Sequence, residues 1–328
     1  MKSTFTSALG PTIANYLSLK EALGRKYSGE RHVLSHLDSF LAAIGQDLDS
    51  ESFGRWNETR LHLASGVRRN CMRIVRNLCL YRLRSEPASF VPDSSQFPRP
   101  HQKMRPYIFT EGDIVRLLVA AGRLRPTTLS PLRAENAYLG LVLLYTAGLR
   151  RGELLRLTVG DYEPSEATIL VRESKFYKSR LLPLSADGAR TIEAFLLKRR
   201  KSALPLSASS PLLCTGYRGT GAYSGGGFAY TIRSLFRATG IRSETGQNPR
   251  LHDLRHAFAI HALLRWYARG EDVQAKLPAL AAYMGHVSIA STQYYLSFVA
   301  ELASAATDRF ERSYGRLIED IGNDGGQP

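Results

Sequence analysis

The chain has 328 residues, of which 44% are hydrophobic, so it has the size of about two globular domains and is not wholly disordered. Its longest apolar runs, such as residues 141–145, are far shorter than the roughly 18–20 residues that cross a bilayer. Its first residues also lack the apolar stretch of a secretory signal. Lys and Arg total 44 against 29 Asp and Glu, a formal net charge of +15, which favours nucleic acid as a partner over a membrane surface. A basic protein that binds no polyanion is the alternative.

The three cysteines, Cys71, Cys79 and Cys214, form no CxxC motif. Cys71 and Cys79 lie about two turns apart on one predicted helix, which is too far for a disulfide. The spacing gives no structural zinc site either, so the cysteines fit a reducing cytosol.

Residues 11–85 have the pattern of an all-helical region. Within residues 66–84, apolar side chains recur at helical spacing and are predicted to face a core: Val67, Cys71, Ile74, Val75 and Leu78. No acidic residue lies between Glu58 and Glu86, so the six arginines of residues 66–84 have no local counter-charge, whereas a solvated helix face usually mixes both signs. We therefore predict DNA phosphate contacts for Arg68, Arg69, Arg73 and Arg76.

The next segment, residues 86–100, contains four prolines and three serines without helical periodicity. Such a composition is typical of a linker. It predicts an all-helical domain over residues 1–90, a linker over residues 91–106 and a second domain over residues 107–328.

The second domain has mixed patterns. Thr110 is a predicted N-cap with acidic residues in the first turn after it, and residues 134–146 read as an apolar helix. Two short strands, residues 167–172 and 180–184, are joined by a basic turn. Further helices are predicted over residues 186–201, 228–239, 250–268, 272–284 and 297–316, with a Ser- and Gly-rich surface loop at residues 207–227. The fold class is therefore mainly α with a small antiparallel β-sheet.

Several short segments of this domain carry chemically capable side chains. Arg150 follows a glycine where a helix begins, and Glu153 is within reach to orient it. The structural alternative is a capped helix start with a surface ion pair. Lys175 and Lys178 lie on the predicted basic turn, where a long amine projects into a groove or is simply solvated.

Two histidines and an arginine lie close together further along the chain. His252 and Arg255 are three residues apart, which places them on one face of a helix. His252 and His256 have a spacing found in metal sites, but no other ligands complete such a site. A polar helix start is the structural alternative.

The remaining candidates are His286, which follows a glycine that ends a helix, and the adjacent Tyr294 and Tyr295. A structural histidine and core packing are the alternatives for them. In combination, however, these residue types suit chemistry on a phosphodiester. Arginine donates to two oxygens and keeps its charge, lysine beside arginines releases a proton readily, and tyrosine forms a phosphoester that conserves bond energy.

The order of these segments resembles the tyrosine recombinase (phage integrase) family, whose catalytic pattern runs Arg, Lys, His-x-x-Arg, His or Trp, and Tyr. The resemblance covers about residues 107–310, and the helical region before it is similar to the family's core-binding domain. The matching positions are Gly148-Leu-Arg150-x-x-Glu153, Lys175 before Arg180-Leu-Leu-Pro-Leu, His252-x-x-Arg255, Gly285-His286 and Tyr295.

The resemblance implies how the proton transfers and the attack are divided. Tyr295 attacks the scissile phosphate and forms a 3′-phosphotyrosyl link, with Tyr294 as the alternative nucleophile. Lys175 protonates the departing 5′ oxygen, with Lys178 as the alternative acid. His252 accepts the tyrosine proton, and no metal, ATP or other cofactor is implied.

The resemblance also implies how the phosphate and the duplex are held. Arg150 and Arg255 bind the non-bridging oxygens, and His286 donates a hydrogen bond to the phosphate. Glu153 orients Arg150. Lys178 and Arg180 join the arginines of the helical domain as DNA contacts.

At the level of the whole protein, the resemblance implies a two-domain clamp around double-stranded DNA that acts as a site-specific recombinase in integration, excision or transposition. It further implies a monomer in solution, a tetramer on two duplexes, and a place in the cytoplasm at the nucleoid of a bacterial, phage or mobile-element host. Residues 297–314 are a candidate helix that docks on a neighbouring subunit or on its own domain. The alternatives are a type IB topoisomerase-like enzyme, a telomere resolvase, and a catalytically silent architectural factor.

Overall fold

A computed structural model describes residues 5–25, 27–99, 105–172, 179–216, 218–286 and 288–298 of the chain. The chain divides into two compact units, Met1–Arg105 and Pro106–Pro328, each with its own buried core. All three cysteines are buried free thiols. In the part of the chain that the structure describes, no helix is long and apolar enough to cross a membrane.

The N-terminal unit is helical, as the sequence predicts, and its helices are α1 Gly10–Ala22, α2 Ser28–Ile44, α3 Ser50–Glu58 and α4 Ser65–Arg82. The predicted core face of α4 is confirmed for Cys71, Ile74, Val75 and Leu78, which are at most 4% exposed. The prediction for Val67 is wrong, because it lies in the first turn of α4, one turn before the first buried residue, and is 52% exposed.

The segment after α4 packs against the N-terminal unit instead of running free. Phe97 is 7% exposed within the core of this unit, and Phe90 and Val91 pack against the same core. Ser94–Gln96 form a 3₁₀ turn that the Asp93 side chain caps. The proline- and serine-rich composition predicts a linker here, but two phenylalanines are enough to anchor the described part of the segment.

The C-terminal unit is mainly helical, in agreement with the predicted class. Its helices are α5 Glu111–Gly122, α6 Arg133–Thr146, α7 Arg151–Leu154, α8 Ala186–Lys201, α9 Gly225–Ala238, α10 Leu251–Ala268, α11 Val273–Met284 and α12 Ala290–Gln293. Thr110 caps α5, and its Oγ1 accepts the N–H of Asp113 at 3.1 Å as the sequence predicts. The apolar helix α6 lies in the core, where Gly140 lets the ring of Phe228 approach its backbone.

A small antiparallel sheet has the order β1 Tyr162–Glu163, β2 Thr168–Val171, β3 Arg180–Pro183. Ile169 is opposite both Tyr162 and Leu182, and all three are buried, so this face of the sheet covers the core. Arg180 begins β3, opposite Val171. Residues 173–178 between β2 and β3, with Lys175 and Lys178, lie outside the described residues.

The Ser- and Gly-rich stretch contains regular structure, so the prediction of a surface loop over residues 207–227 is wrong. β4 Cys214–Thr215 pairs with β5 Gly221–Ala222, and α9 already begins at Gly225. Three consecutive glycines disfavour a helix start. The Ser224 hydroxyl offsets this cost, since its Oγ accepts the N–H of Gly227 at 3.0 Å.

Candidate active site

Arg150 immediately precedes α7, after a turn in which Gly148 has a φ of +57°. Glu153 closes this helix start: its Oε2 accepts the N–H of Arg150 at 3.0 Å, and its Oε1 accepts Nη1 of Arg150 at 2.7 Å. The structure thus brings the two residues together as the sequence predicts. The Arg150 side chain remains 27% exposed, so its guanidinium group is accessible to an anion.

Arg180, predicted to contact DNA, is bound within the protein. Its Nη1 and Nη2 donate to Oε1 and Oε2 of Glu153 at 3.1 and 2.9 Å, and its Nε donates to the Tyr283 carbonyl at 2.8 Å. Burial alone would raise the pKa of Glu153, but the hydrogen bonds from Arg180 and from the N–H of Arg150 lower it to about 2. The carboxylate therefore stays ionised and holds both arginines.

Arg255 is 1% exposed, but both of its terminal nitrogens have partners. Nη1 donates to the Gly148 carbonyl, and Nη2 donates to the Met284 carbonyl at 2.5 Å. Nη1 also lies 4.0 Å from Oε2 of Glu153. Burial and the neighbouring charge of Arg150 lower the pKa of Arg255, so a bound anion would stabilise its cationic form.

The C-terminal end of α11 gathers the three arginines. Its last carbonyls accept hydrogen bonds as follows: Tyr283 from Arg180, Met284 from Arg255, and Gly285 from Nη2 of Arg150 at 2.8 Å. The last carbonyls of a helix have no intrahelical partner and carry the negative end of its dipole. The helix end and Glu153 together hold three cations in a fixed arrangement.

Gly285 ends α11 with a φ of +65°, as the sequence predicts, and His286 follows it. Nδ1 of His286 lies 2.8 Å from Oγ1 of Thr292, and its ring is stacked on that of Tyr295 at a centroid distance of 6.2 Å. Burial and the charge of Arg255 lower the pKa of His286 to about 4. Its imidazole is therefore neutral at neutral pH.

Tyr295 is 2% exposed, and its hydroxyl lies 3.0 Å from Nδ1 of His256. Burial raises the pKa of Tyr295, and the charge of Arg255 opposes that rise. The neighbouring Tyr294 places its ring edge-on to Phe298 at 5.1 Å. The hydroxyl of Tyr295 is thus hydrogen-bonded to a histidine of α10.

The histidine whose ring contacts Tyr295 is His256, whereas the family resemblance implies that His252 accepts the tyrosine proton. The two histidines lie one turn apart on α10 with ring centroids 4.6 Å apart. Among the described residues, His256 has a hydrogen bond and a ring contact with Tyr295, and no contact is found between His252 and Tyr295. In the sequence, His256 is noticeable only because it lies four residues after His252. That spacing indicates a metal site and does not indicate a contact with Tyr295.

Among the described residues, no group of three or more His, Cys, Asp or Glu side chains is placed to hold a metal ion. Lys175 and Lys178, the two candidates for the general acid, are not among the described residues.

Two of the arginines predicted to bind DNA hold the segment after α4. Nη1 of Arg69 donates to the Pro98 carbonyl at 2.6 Å, and Nη1 of Arg76 donates to the Pro92 carbonyl at 2.5 Å. These contacts give Arg69 and Arg76 a structural role that the helical stripe does not predict.

The other arginines of α4 have different surroundings. Arg73 is exposed and bonds Asn70 on its own helix at 2.8 Å, so it remains accessible to DNA. Nε of Arg68 is buried without a hydrogen-bond partner among the described residues. Arg82 pairs with Asp47 at 2.6 Å and with Glu86 at 2.7 Å, so it has one distant and one local counter-charge.

Comparison with known proteins gives consistent matches. The model of the phage integrase family matches residues 108–300. The putative integrase/recombinase y4rB of Sinorhizobium fredii is 33% identical over 95% of this chain and 98% of its own length. The tyrosine recombinase XerD of Brucella abortus is 29% identical over 61% of each chain.

Two solved structures have the same fold. The XerH recombinase in its post-cleavage complex with a palindromic difH substrate has a TM-score of 0.62 and 19% identity, covering 85% of this chain and 78% of that chain. The Tn1549 transposon integrase in complex with transposon right end DNA has a TM-score of 0.62 and 17% identity, covering 92% of this chain and 98% of that chain.

Proposed function

The chain belongs to the phage integrase family, and we propose that Tyr295 is its nucleophile and that Arg150 and Arg255 bind the scissile phosphate. It is a tyrosine recombinase, an enzyme that breaks and rejoins DNA strands at specific sites. One observation supports the assignment above the others. The hydroxyl of Tyr295 is bonded to His256 and its ring is stacked on His286, beside the charge of Arg255.

In the proposed reaction, the Tyr295 oxygen forms a bond to phosphorus as the bond from phosphorus to the 5′ oxygen breaks. Lys175, in the segment between β2 and β3, gives a proton to the departing oxygen. The product is a 3′-phosphotyrosyl link and a free 5′-hydroxyl. Because the link conserves the energy of the phosphodiester bond, the 5′-hydroxyl of a second duplex can attack it and exchange strands without ATP.

The arginines stabilise the negative charge that develops on the phosphate. Arg150 is held by Glu153 and by the Gly285 carbonyl, so its orientation is set before DNA arrives. Arg255 is fixed by two carbonyls in the same way. His286, neutral at neutral pH, donates a hydrogen bond to a phosphate oxygen.

Double-stranded DNA carrying a recombination site is the partner. The XerH and Tn1549 structures, which are DNA complexes of proteins with this fold, support it. We propose that both units contact the duplex and that Arg73 contributes a phosphate contact from α4. We further propose a monomer in solution, a tetramer on two duplexes, and a role in moving DNA elements in the cytoplasm of a bacterium.

The experiment that tests the phosphate-binding pair is Arg150→Ala. Removing one donor from a developing oxyanion lowers a rate by about 10²–10³-fold, so covalent adduct formation should fall by that factor while DNA binding is largely kept. Cleavage at the wild-type rate would contradict the assignment. Relaxation of supercoiled plasmid lacking a recombination site would favour the topoisomerase-like alternative instead.

A further inference from the structure

The attack of a tyrosine requires that its hydroxyl proton leave, and the structure provides an acceptor for it. We propose that His256 accepts the Tyr295 proton during cleavage and returns it during religation. This inference rests on the proposed function, in which Tyr295 is the nucleophile. It gives His256 the step for which the family resemblance implies His252.

The geometry favours His256 over bulk water and over His252. Nδ1 of His256 lies 3.0 Å from the Tyr295 oxygen, within the range of a proton transfer along a hydrogen bond. Tyr295 is 2% exposed, so bulk water has little access to its hydroxyl. The ring centroid of His256 lies 5.5 Å from that of Tyr295 and 4.6 Å from that of His252, so His256 contacts both residues.

His256 is placed by a rigid element. It follows Arg255 directly on α10, and that arginine is fixed by the carbonyls of Gly148 and Met284. The acceptor for the proton and the donor for the phosphate are therefore adjacent residues of one helix. A shift of one would move the other, which keeps the attacking oxygen and the phosphate in register.

The proposed step is balanced in both directions. In cleavage the O–H bond of Tyr295 breaks, its proton binds Nδ1 of His256, and its oxygen bonds phosphorus while the 5′ oxygen leaves with a proton from Lys175. In religation the imidazolium returns the proton to the departing Tyr295 oxygen. No oxidant, metal or further reactant takes part.

Burial and the arginines near His256 favour its neutral form, and Asp253 is the neighbour that favours its protonated form. The titratable and charged groups near its ring are Arg250 at the N-cap of α10, His252, Asp253 and Arg255 on α10, and Tyr294 and Tyr295 from the segment after α11. Burial and the neighbouring His252 lower the pKa of His256 to about 4, so the ring is neutral and able to accept. The proton stays on Tyr295 in the resting protein and moves as the bond to phosphorus makes it acidic.

The test compares His256→Asn with His252→Asn. In His256→Asn the introduced amide oxygen would take the place of Nδ1 and accept the hydrogen bond, but it cannot take the proton. The probe is a nicked duplex selected by the wild-type protein from a randomised pool, and single-turnover adduct formation is measured between pH 5 and 9. We expect His256→Asn to lose about 10²–10⁴-fold in rate with DNA binding unchanged, and to lose more than His252→Asn.

A second substrate separates the two proton transfers. A duplex with sulfur in place of the bridging 5′ oxygen has a leaving group that needs no proton. We expect this substrate to restore cleavage to Lys175→Ala but not to His256→Asn, whose rate should instead rise with pH. A His256→Asn rate within threefold of wild type, or restoration by the sulfur substrate, overturns the inference. Failure of the wild-type protein to form a Tyr295 adduct contradicts the proposed function itself.

A measurement on the wild-type protein covers the case in which His256→Asn does not fold. The ¹⁵N chemical shifts of the His256 ring report which nitrogen carries the proton. The inference requires an unprotonated Nδ1 in the free protein, and a shift of that signal in Tyr295→Phe. A protonated Nδ1, or a signal that Tyr295→Phe leaves unchanged, overturns it.

Discussion

Glu153 and Arg180 are joined by two parallel hydrogen bonds, Nη1 to Oε1 at 3.1 Å and Nη2 to Oε2 at 2.9 Å. Such a two-point pair fixes orientation as well as charge. Because the same carboxylate binds Arg150, it connects β3 to the start of α7. Glu153 is therefore the central anion among three cations, the third being Arg255, whose Nη1 lies 4.0 Å from Oε2.

We expect Glu153→Gln to destabilise the C-terminal unit by about 3 kcal/mol, because it leaves buried guanidinium groups without their counter-charge. Adduct formation should fall as well, since Arg150 loses its anchor, while DNA binding is kept. Thermal unfolding and adduct rates measure the two effects. The matched control is Asp187→Asn, which removes the carboxylate of an exposed pair with Arg190 and should change little. Equal effects of the two variants would contradict the role of Glu153.

Gly285 offers a test of the end of α11. Its φ is +65°, and a Cβ there would lie 2.8 Å from Nη1 of Arg180. We expect Gly285→Ala to displace Arg180 and the carbonyl that holds Arg150, and to slow cleavage by about 10²-fold. Gly270→Ala is the control, since Gly270 has a φ of +67° but nothing within 4 Å. Both variants carry the same backbone cost of about 1–2 kcal/mol. Because only Gly285→Ala also displaces Arg180, only that variant should lose cleavage. Normal cleavage by Gly285→Ala would contradict this account.

Stability should fall in acid in two steps. The pKa values of His256 and His286 are lowered to about 4, below the ordinary 6.5. As the pH falls, these histidines are therefore protonated in the unfolded chain before they are protonated in the folded protein. Their contribution, about 1–3 kcal/mol each, is complete above pH 6.5 and is lost as the pH falls towards 4. Glu153, with a pKa of about 2, adds a loss between about pH 4.5 and 2. Calorimetry from pH 2 to 8 measures both steps. His286→Asn should flatten the first, and an unchanged profile would contradict the assignment.

The arginines of α4 should separate into two classes. We expect Arg73→Ala to weaken DNA binding and to lower the slope of log affinity against log salt by about 1, without a change in stability. Arg69→Ala should instead destabilise the N-terminal unit by about 1 kcal/mol, because Pro98 loses its donor. Limited proteolysis should then cut the released segment near Phe97. If Arg69→Ala lowered only the salt slope of DNA affinity and left stability unchanged, its structural role would be contradicted.

The sequence predicts those features of the site that depend on local order. The cap at Thr110, the glycine that ends α11 and the contact between Arg150 and Glu153 each involve residues close together in the chain, and all are present in the structure. Helical periodicity likewise predicts the buried face of α4, apart from Val67 in its first turn.

The features that the sequence does not predict depend on how distant elements pack. The contact of Arg180 with Tyr283 spans 103 residues, so its charge alone indicates only a partner such as DNA. His252 and His256 are equivalent by spacing, and which ring faces Tyr295 depends on the packing of a segment 39 residues away. The helix start at Gly225 depends on the cap formed by the Ser224 side chain, and helix propensities of single residues do not include such a contact.

Covalent trapping tests the central claim most directly. Purified protein is mixed with nicked duplexes from a randomised pool and from the DNA flanking its own gene, and SDS-resistant adducts are mapped to a peptide. We expect the adduct on Tyr295, its loss in Tyr295→Phe and its retention in Tyr294→Phe. An adduct on Tyr294, or one that Tyr295→Phe still forms, would contradict the assignment of the nucleophile.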